Sequence, residues 1–335
     1  MMYNNVYHHK DLGTSTFFIT GGAGFIGSNI VEYLLRYKAK RVVVLDDLST
    51  GYLDNIKPYF GLSNFEFIEG DIRDYATCIK ALEGVDYVSH QAALGSVPRS
   101  INNPINTNSV NIDGFLNVLT AVKEHGAIQR MVYAASSSTY GDSKELPKVE
   151  GNEGKPLSPY AVTKLVNELY GDVFSKVYGL HTIGLRYFNV FGPRQNPDNP
   201  YAAVIPLFCK AFINDFSPTI FGDGETSRDF TFVENAVQAN IKALLSDGIN
   251  KHEVFNVACG DQVSLNQMVE LLQEISQKNI SSNYGPERKG DVRHSKASIE
   301  KAKSILNYDP LFSFKDGLAL VYDWYKETMV ENPAK

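Results

Sequence analysis

What this 335-residue sequence lacks narrows it first. Its three cysteines, Cys78, Cys209 and Cys259, are scattered and odd in number, with no C-x-x-C pair. Neither a disulfide framework nor a zinc site is expected, and a reducing compartment suits such a chain. No apolar stretch approaches the roughly 20 residues that cross a bilayer, and Met1 to Asp11 is polar, without the apolar core of a secretion signal. A cytoplasmic location without membrane contact is the expectation. An excess of positive charge is missing too: 32 Lys and Arg against 38 Asp and Glu leave a net charge of −6. That balance disfavours general affinity for nucleic acid, so any anionic ligand must be held by local donors. Internal repeats and low-complexity tracts are absent. The adjacent His8 and His9 read as exposed residues of an N-terminal arm, and no metal site is expected.

What is present begins with Phe17-Phe18-Ile19-Thr20-Gly21-Gly22-Ala23-Gly24-Phe25-Ile26-Gly27-Ser28. An apolar run breaks into closely spaced glycines and resumes with helical spacing, which reads as strand, tight turn, helix. Such a turn lets backbone N–H groups and a helix N-terminus converge on a phosphate, because no Cβ intervenes and the helix dipole favours an anion. Gly22, Gly24 and Gly27 fit G-x-G-x-x-G, while Gly21 and Gly24 begin the variant G-x-x-G-x-x-G. Alone, the motif also fits a glycine turn that merely joins two elements. Its context favours a nucleotide: Ile26, Ile30 and Leu34 form a stripe, and Arg41 to Asp46 follows as a buried strand ending in a carboxylate. That acid stands about 20 residues beyond the glycines, where a ribose-binding carboxylate is expected.

Further strands are expected at Phe65 to Asp71, Val85 to His90, Arg130 to Ala135 and His181 to Arg186. A helix carrying Val110, Phe115, Val118, Leu119 and Val122 opens at Pro104 and ends near Gly126, and another runs from Tyr160 to Tyr178. The regular alternation calls for an α/β fold, a Rossmann-type doubly wound parallel sheet with a smaller C-terminal substrate lobe. The expected division gives residues 1–187 to the first domain, with 231–258 returning to it. Residues 188–230 and 259–335 form the lobe.

Tyr160 and Lys164 stand four residues apart on one helix face. A free tyrosine, near pKa 10, is a poor base at neutral pH, but a fixed cation nearby stabilises its phenolate. Lys164 is expected to supply that field. Such pairs are common on surface helices; here a hydroxyl-rich loop, Ser136 to Gly141, ends the preceding strand. In a parallel sheet this loop, the helix and the glycine turn all meet at the carboxyl edge.

Together Thr20 to Gly27, Asp46, Asp71, the Ser136 loop and the Tyr160/Lys164 pair resemble the extended short-chain dehydrogenase/reductases over nearly the whole chain. Within them the chain is most similar to the nucleotide-sugar 4-epimerases, and specifically to the bacterial UDP-N-acetylglucosamine 4-epimerase group of surface-polysaccharide synthesis. The carrying motifs are Gln91 to Ser100, Ala134 to Gly141, Leu185 to Gly192 and Gly290 to Ser295. The resemblance implies a retained NAD held by Gly21, Gly24, Phe25, Ile26 and Gly27, with Asp46 on the ribose. Asp71, Ile72, Gln91, Ala92, Ala93, Tyr160 and Lys164 complete its site. It implies Ser136, Tyr160 and Lys164 as catalytic residues. Ser96, Ser136, Ser137 and Tyr160 would meet the sugar of a UDP-sugar, with Asn189, Arg228 and Arg288 on its diphosphate. Ser295 falls where relatives limited to non-acetylated sugars carry a bulky residue, so a 2-acetamido group is expected to fit. Dehydrating relatives carry an Asp-Glu pair where this chain has hydroxyls at Ser136 to Ser138, which argues against a dehydratase. UDP-glucose/galactose and UDP-hexuronic acid stay open as substrates, and a non-catalytic NAD sensor as a role. A homodimer formed by the helices near Pro104 to His125 and Pro159 to Tyr178 is also implied.

Overall fold

Strand and helix alternate through the first half: β1 (Thr16–Thr20), α1 (Phe25–Arg36), β2 (Arg41–Asp46), β3 (Phe65–Glu69), α2 (Tyr75–Ala81) and β4 (Tyr87–His90). Three helices follow, α3 (Val97–Asn102), α4 (Pro104–Asn108) and α5 (Phe115–His125), and then β5 (Arg130–Ser136), α6 (Pro159–Tyr178) and β6 (Thr182–Tyr187). Shorter elements come next: β7 (Val190–Phe191), α7 (Val204–Ile213), β8 (Thr219–Phe221), β9 (Ser227–Arg228) and β10 (Thr231–Phe232). The chain continues through α8 (Val233–Leu245), β11 (Glu253–Val257), β12 (Val263–Ser264), α9 (Leu265–Ser276), β13 (Asn283–Gly285), α10 (Glu300–Leu306) and α11 (Phe314–Glu331). The computed structural model describes residues 2–197, 203–287 and 293–331.

Seven strands form one sheet in the order β11-β6-β5-β4-β1-β2-β3, with every pairing parallel. Both faces of such a sheet are covered, so its strands read as nearly unbroken apolar runs. Alternation along β1 shows how: Phe17 and Ile19 join the core under α1 and α8, while Phe18 joins the opposite core with α2 and α5. All three side chains are fully buried, each stabilising the fold by about 2 kcal/mol. A third core, around Phe191, Phe208, Phe212, Phe232 and Leu318, builds the smaller lobe.

The sequence also dictates where α6 begins and ends. Ser158 caps it by accepting from Ala161 N at 3.1 Å, Pro159 supplies a fixed φ in the first turn, and Gly179 ends it at φ 72°.

Three expectations need correction. The single helix expected from Pro104 is interrupted: residues 109–114 widen into a π turn between α4 and α5. The widening turns Asn111 inward, where Oδ1 accepts from Leu94 N at 2.8 Å and Nδ2 donates to Thr163 Oγ1 at 3.1 Å. A 3.6-residue period contains no sign of this. Of the two histidines expected to be exposed, His9 is and His8 is half-buried, because the N-terminal arm is docked through the buried Tyr3 and Tyr7. Tyr3 OH donates to Asn29 Oδ1 at 2.5 Å and Tyr7 OH to Glu234 Oε1 at 2.8 Å, while His8 packs edge-on against Tyr33 and Tyr37. Finally, Ala297, Ile299, Ala302, Leu306 and Tyr308 pack into the large core beside β11, although the sequence reading put this stretch in the smaller lobe.

The glycine turn leaves no room for a side chain. A Cβ on Gly27 would lie 2.1 Å from the Gly21 carbonyl oxygen, and Gly21 itself has φ +67°. Gly27→Ala is therefore expected to cost about 2 kcal/mol of stability and to remove bound nucleotide, checked by urea denaturation and by absorbance of the nucleotide released from purified protein.

Candidate active site

The order of the sheet reverses at β1, whose neighbours β4 and β2 lead away in opposite directions. A crevice opens beyond the carboxyl ends at such a reversal. Here it is a cleft lined at one end by Gly21, Gly24, Phe25, Ile26 and Gly27 and along its length by Gln91, Ala92, Ala93, Ser136, Tyr160 and Lys164. Asn189, Val190 and Ala203 line both this cleft and an adjoining cavity with apolar walls, where Arg228 is the one cation among the described residues. The two make one continuous trough from the glycine turn into the smaller lobe.

The glycine end is built for an anion. Gly24 caps the twelve-residue α1 with no side-chain hydrogen bond, so the helix presents its first N–H groups and its positive dipole end to the cleft. Opposite, Asp46 also lines the cleft, and its oxygens accept from Ala23 N and Leu48 N, each at 2.9 Å. Burial raises its pKa, and those backbone donors oppose the rise. The carboxylate thus fixes the glycine turn as well as facing the trough. Uncapped amides and a carboxylate suit the pyrophosphate and ribose of NAD. Ile72 lines this end too, but Asp71 does not: Arg73 Nε binds its carboxylate at 2.8 Å and holds its pKa below the usual carboxylate range.

The floor owes its position to a network of polar groups, of which Ser89, His90, Tyr187 and Asn240 carry no sign in the local sequence. Thr20 Oγ1 lies 2.8 Å from His90 Nδ1 and accepts from Ala92 N at 3.2 Å. Gln91 donates to Ser89 Oγ at 2.9 Å and accepts from Tyr187 OH at 3.1 Å, and Asn240 donates to the same phenol at 2.7 Å. Asn240 is 149 residues from Gln91 in the chain, a distance no local pattern spans. Ser49, Thr50, Tyr52, Arg99 and Arg194 also line the cleft.

At mid-cleft, Ser136 ends β5 and Tyr160 and Lys164 rise from the first turns of α6. Ser138 donates to Ser136 Oγ through both its amide, at 3.2 Å, and its hydroxyl, at 2.9 Å. Those bonds occupy the lone pairs of Ser136 Oγ, whose own proton is left for Tyr160. That bond opposes the effect of burial, which raises the pKa of the half-buried Tyr160. Lys164 is 3% exposed, and its Nζ donates to the Ala134 carbonyl at 2.7 Å and lies 6.0 Å from the Tyr160 ring centroid. Burial dominates the phenol, and burial also pulls the Lys164 ammonium down to about 8, so each group is driven toward its neutral form. A phenol held this way rests protonated.

Toward the lobe, Ser96 and Ser137 line the cleft, and Ser96 also caps α3 by accepting from Arg99 N at 3.2 Å. Asn189 adopts φ 38° and donates to the Asp229 carbonyl at 3.0 Å. Asp229 is buried, its pKa raised to about 6 by burial against bonds from the Cys259, Ala297 and Gly260 amides. It thereby anchors Arg228, whose guanidinium is oriented by the Ser227 carbonyl at 2.9 Å. Ser295 lies beside this strand, its N–H on the Ser227 carbonyl at 3.1 Å, and is not among the described residues lining either cavity. Arg288 lies outside the described residues.

Comparison with known proteins gives these features a family. Residues 17–258 match the model of the NAD dependent epimerase/dehydratase family. A UDP-N-acetylglucosamine 4-epimerase from Methanobrevibacter ruminantium M1, solved with UDP-N-acetylmuramic acid, is 39% identical with a TM-score of 0.88, covering 94% of this chain and 99% of that one. A UDP-glucuronic acid 4-epimerase from Bacillus cereus, solved with UDP-glucuronic acid and NAD, is 33% identical with a TM-score of 0.86, covering 93% and 99%. A putative UDP-glucose 4-epimerase of Methanocaldococcus jannaschii is 36% identical over 310 residues, 92% of this chain and 97% of its own length. With its reversed parallel sheet, its uncapped glycine turn and its Ser136–Tyr160 pair, the chain belongs to the NAD dependent epimerase/dehydratase family.

Proposed function

We propose that this chain interconverts the C4 epimers of a UDP-sugar, and that the sugar is an N-acetylhexosamine, as in UDP-GlcNAc and UDP-GalNAc. The observation that carries the reading is the Ser136–Tyr160 pair midway along one trough, between the glycine turn and Arg228. Among the described residues lining the cleft, the only carboxylates are Asp46 and Asp47, both at the glycine end. No acid stands near the hydroxyl pair to expel a sugar hydroxyl, so the chemistry stops at a 4-keto stage and reverses.

Tyr160, as phenolate, takes the proton of the sugar 4-hydroxyl, and Ser136 hydrogen-bonds the same oxygen and relays the proton. When bound, NAD would supply a hydride acceptor, with no net redox change over the cycle. Gly24, Phe25 and Ile26 would hold its phosphates, Asp46 would prefer a free ribose hydroxyl to a 2′-phosphate, and Lys164 would help hold the cofactor. Arg228 and Asn189 bind the diphosphate, a role the resemblance gives to Arg288 as well, and the apolar walls of the adjoining cavity take the uracil.

The N-acetylated sugar is supported by the UDP-N-acetylglucosamine 4-epimerase among the similar structures; the role of Ser295 rests on the resemblance, since it is not among the described residues lining either cavity. A hexuronic acid is the second reading, favoured by Arg99, a cation lining the cleft near Ser96. We also propose a dimer through the outer face of α6, where Val162, Leu169, Val173 and Val177 are exposed at helical spacing beside Ile101 and Ile105.

Purified protein is expected to release NAD on denaturation and to equilibrate UDP-GlcNAc with UDP-GalNAc without added cofactor. Tyr160→Phe should lower kcat at least ~100-fold; unchanged turnover removes Tyr160 as the base. Ser295→Tyr should reduce turnover of the N-acetylated pair several-fold more than that of UDP-glucose and UDP-galactose, measured as the ratio of kcat/KM values. Leu169→Glu should shift the sedimentation coefficient from dimer to monomer, and a wild type that sediments as a monomer rejects the α6 interface.

A further inference from the structure

The proposed chemistry uses Tyr160 and Lys164 but leaves out the next turn of the same helix face. Glu168 follows Lys164 by four residues and is 7% exposed. Arg186, reaching over from β6 and 4% exposed, meets it with a two-pronged fork: Nε donates to Oε1 at 2.9 Å and Nη2 to Oε2 at 2.7 Å. Its third nitrogen, Nη1, binds Glu153, and the guanidinium lies 4.9 Å over the Tyr140 ring. Arg186 pairs across the sheet with Ala135, and its neighbour Tyr187 pairs with Ser136. The fork therefore ties the base-bearing helix to the strands that hold the hydroxyl loop.

The charges of this cluster do not cancel by themselves. Two carboxylates and one guanidinium leave one negative charge in a poorly solvated interior, where an uncompensated charge is costly. Lys164, one helical turn from Glu168, supplies the missing positive charge, and the set of four is neutral only while its ammonium is protonated. The ammonium gains as well, because the Ala134 carbonyl that accepts from it is neutral.

We propose that Glu168, gripped by Arg186, is a positioning residue that keeps Lys164 charged beside Tyr160 and so sets the alkaline end of the enzyme's working range. The proposal rests on the roles of Tyr160 and Lys164 given above. Burial acts against the ammonium and Glu168 acts for it. The other ionisable groups nearby do not replace Glu168. His90 on β4 is held neutral by burial, its pKa lowered to about 3. Burial keeps the phenols of Tyr133 on β5, Tyr140 beyond it, Tyr160 on α6 and Tyr187 on β6 protonated at neutral pH. The remaining charged groups on helices packed against α6 are Arg99 on α3, Asp113 in the π turn, and Lys123, Glu124 and His125 on α5, while α4 has none. Further along α6 itself, Asp172 is paired with Lys176 at 2.6 Å.

The rate–pH profile of the holoenzyme tests this. Wild type is expected to lose activity as pH rises through about 8, where Lys164 gives up its proton. Glu168→Gln keeps the shape of the side chain and an acceptor for Arg186 but removes the charge. It is expected to move the alkaline limb down by about one pH unit, a ~10-fold loss of rate at a fixed pH above it. Glu153→Gln, at a partly exposed position, is expected to give a smaller shift in the same direction and serves if Glu168→Gln does not fold. A readout free of turnover is the phenolate absorbance of each protein minus that of its Tyr160→Phe derivative, whose midpoint should rise in Glu168→Gln. A merely structural Glu168 would lower thermal stability and leave limb and midpoint in place, and that result overturns the proposal. Full activity in Tyr160→Phe would instead overturn the reading of the site beneath it.

Discussion

Everything that acts on a ligand in this molecule depends on the contact between Gly27 and the Gly21 carbonyl. With no room for a methyl group there, the chain turns sharply enough for α1 to start directly over the end of β1 and point its free amides into the crevice. Asp46 depends on the same turn, since one of its oxygens holds Ala23 N within it. The reversal of strand order then brings β4, β5 and the start of α6 to one edge. Residues far apart in sequence, such as Gly24 and Tyr160, thereby share a cleft.

Much of this could be read from residue patterns, for stated reasons. The strands are unbroken apolar runs because the sheet is covered on both faces, and the glycine spacing and the Tyr160–Lys164 interval are local features with local geometry. What escaped notice was non-local or conformationally unusual. The π turn that aims Asn111 at Leu94 has no periodic signature. The ring of Gln91, Tyr187 and Asn240 closes only in three dimensions. The docked arm looked polar because Tyr3 and Tyr7 bury their rings while their hydroxyls find Asn29 and Glu234. The bond from Arg73 to Asp71, two residues before it, joins side chains whose pairing no spacing rule announces.

The relation between Tyr160 and Lys164 was the most instructive departure. Two charges four residues apart suggest a simple mutual effect, yet burial outweighs it for both groups. Desolvation drives each toward its neutral form, so an ionised pair needs support from a wider circle: Ser136 for the phenolate and Glu168 for the ammonium. Reactivity at this site belongs to the surrounding dielectric as much as to the two side chains.

Phe25, the first residue of α1, packs against the core of the smaller lobe while its neighbours face the glycine end of the trough. The helix that grips one ligand is thus part of the wall that shapes the other's compartment. Any coupling carried by this shared wall would, by linkage, have the same size in both directions.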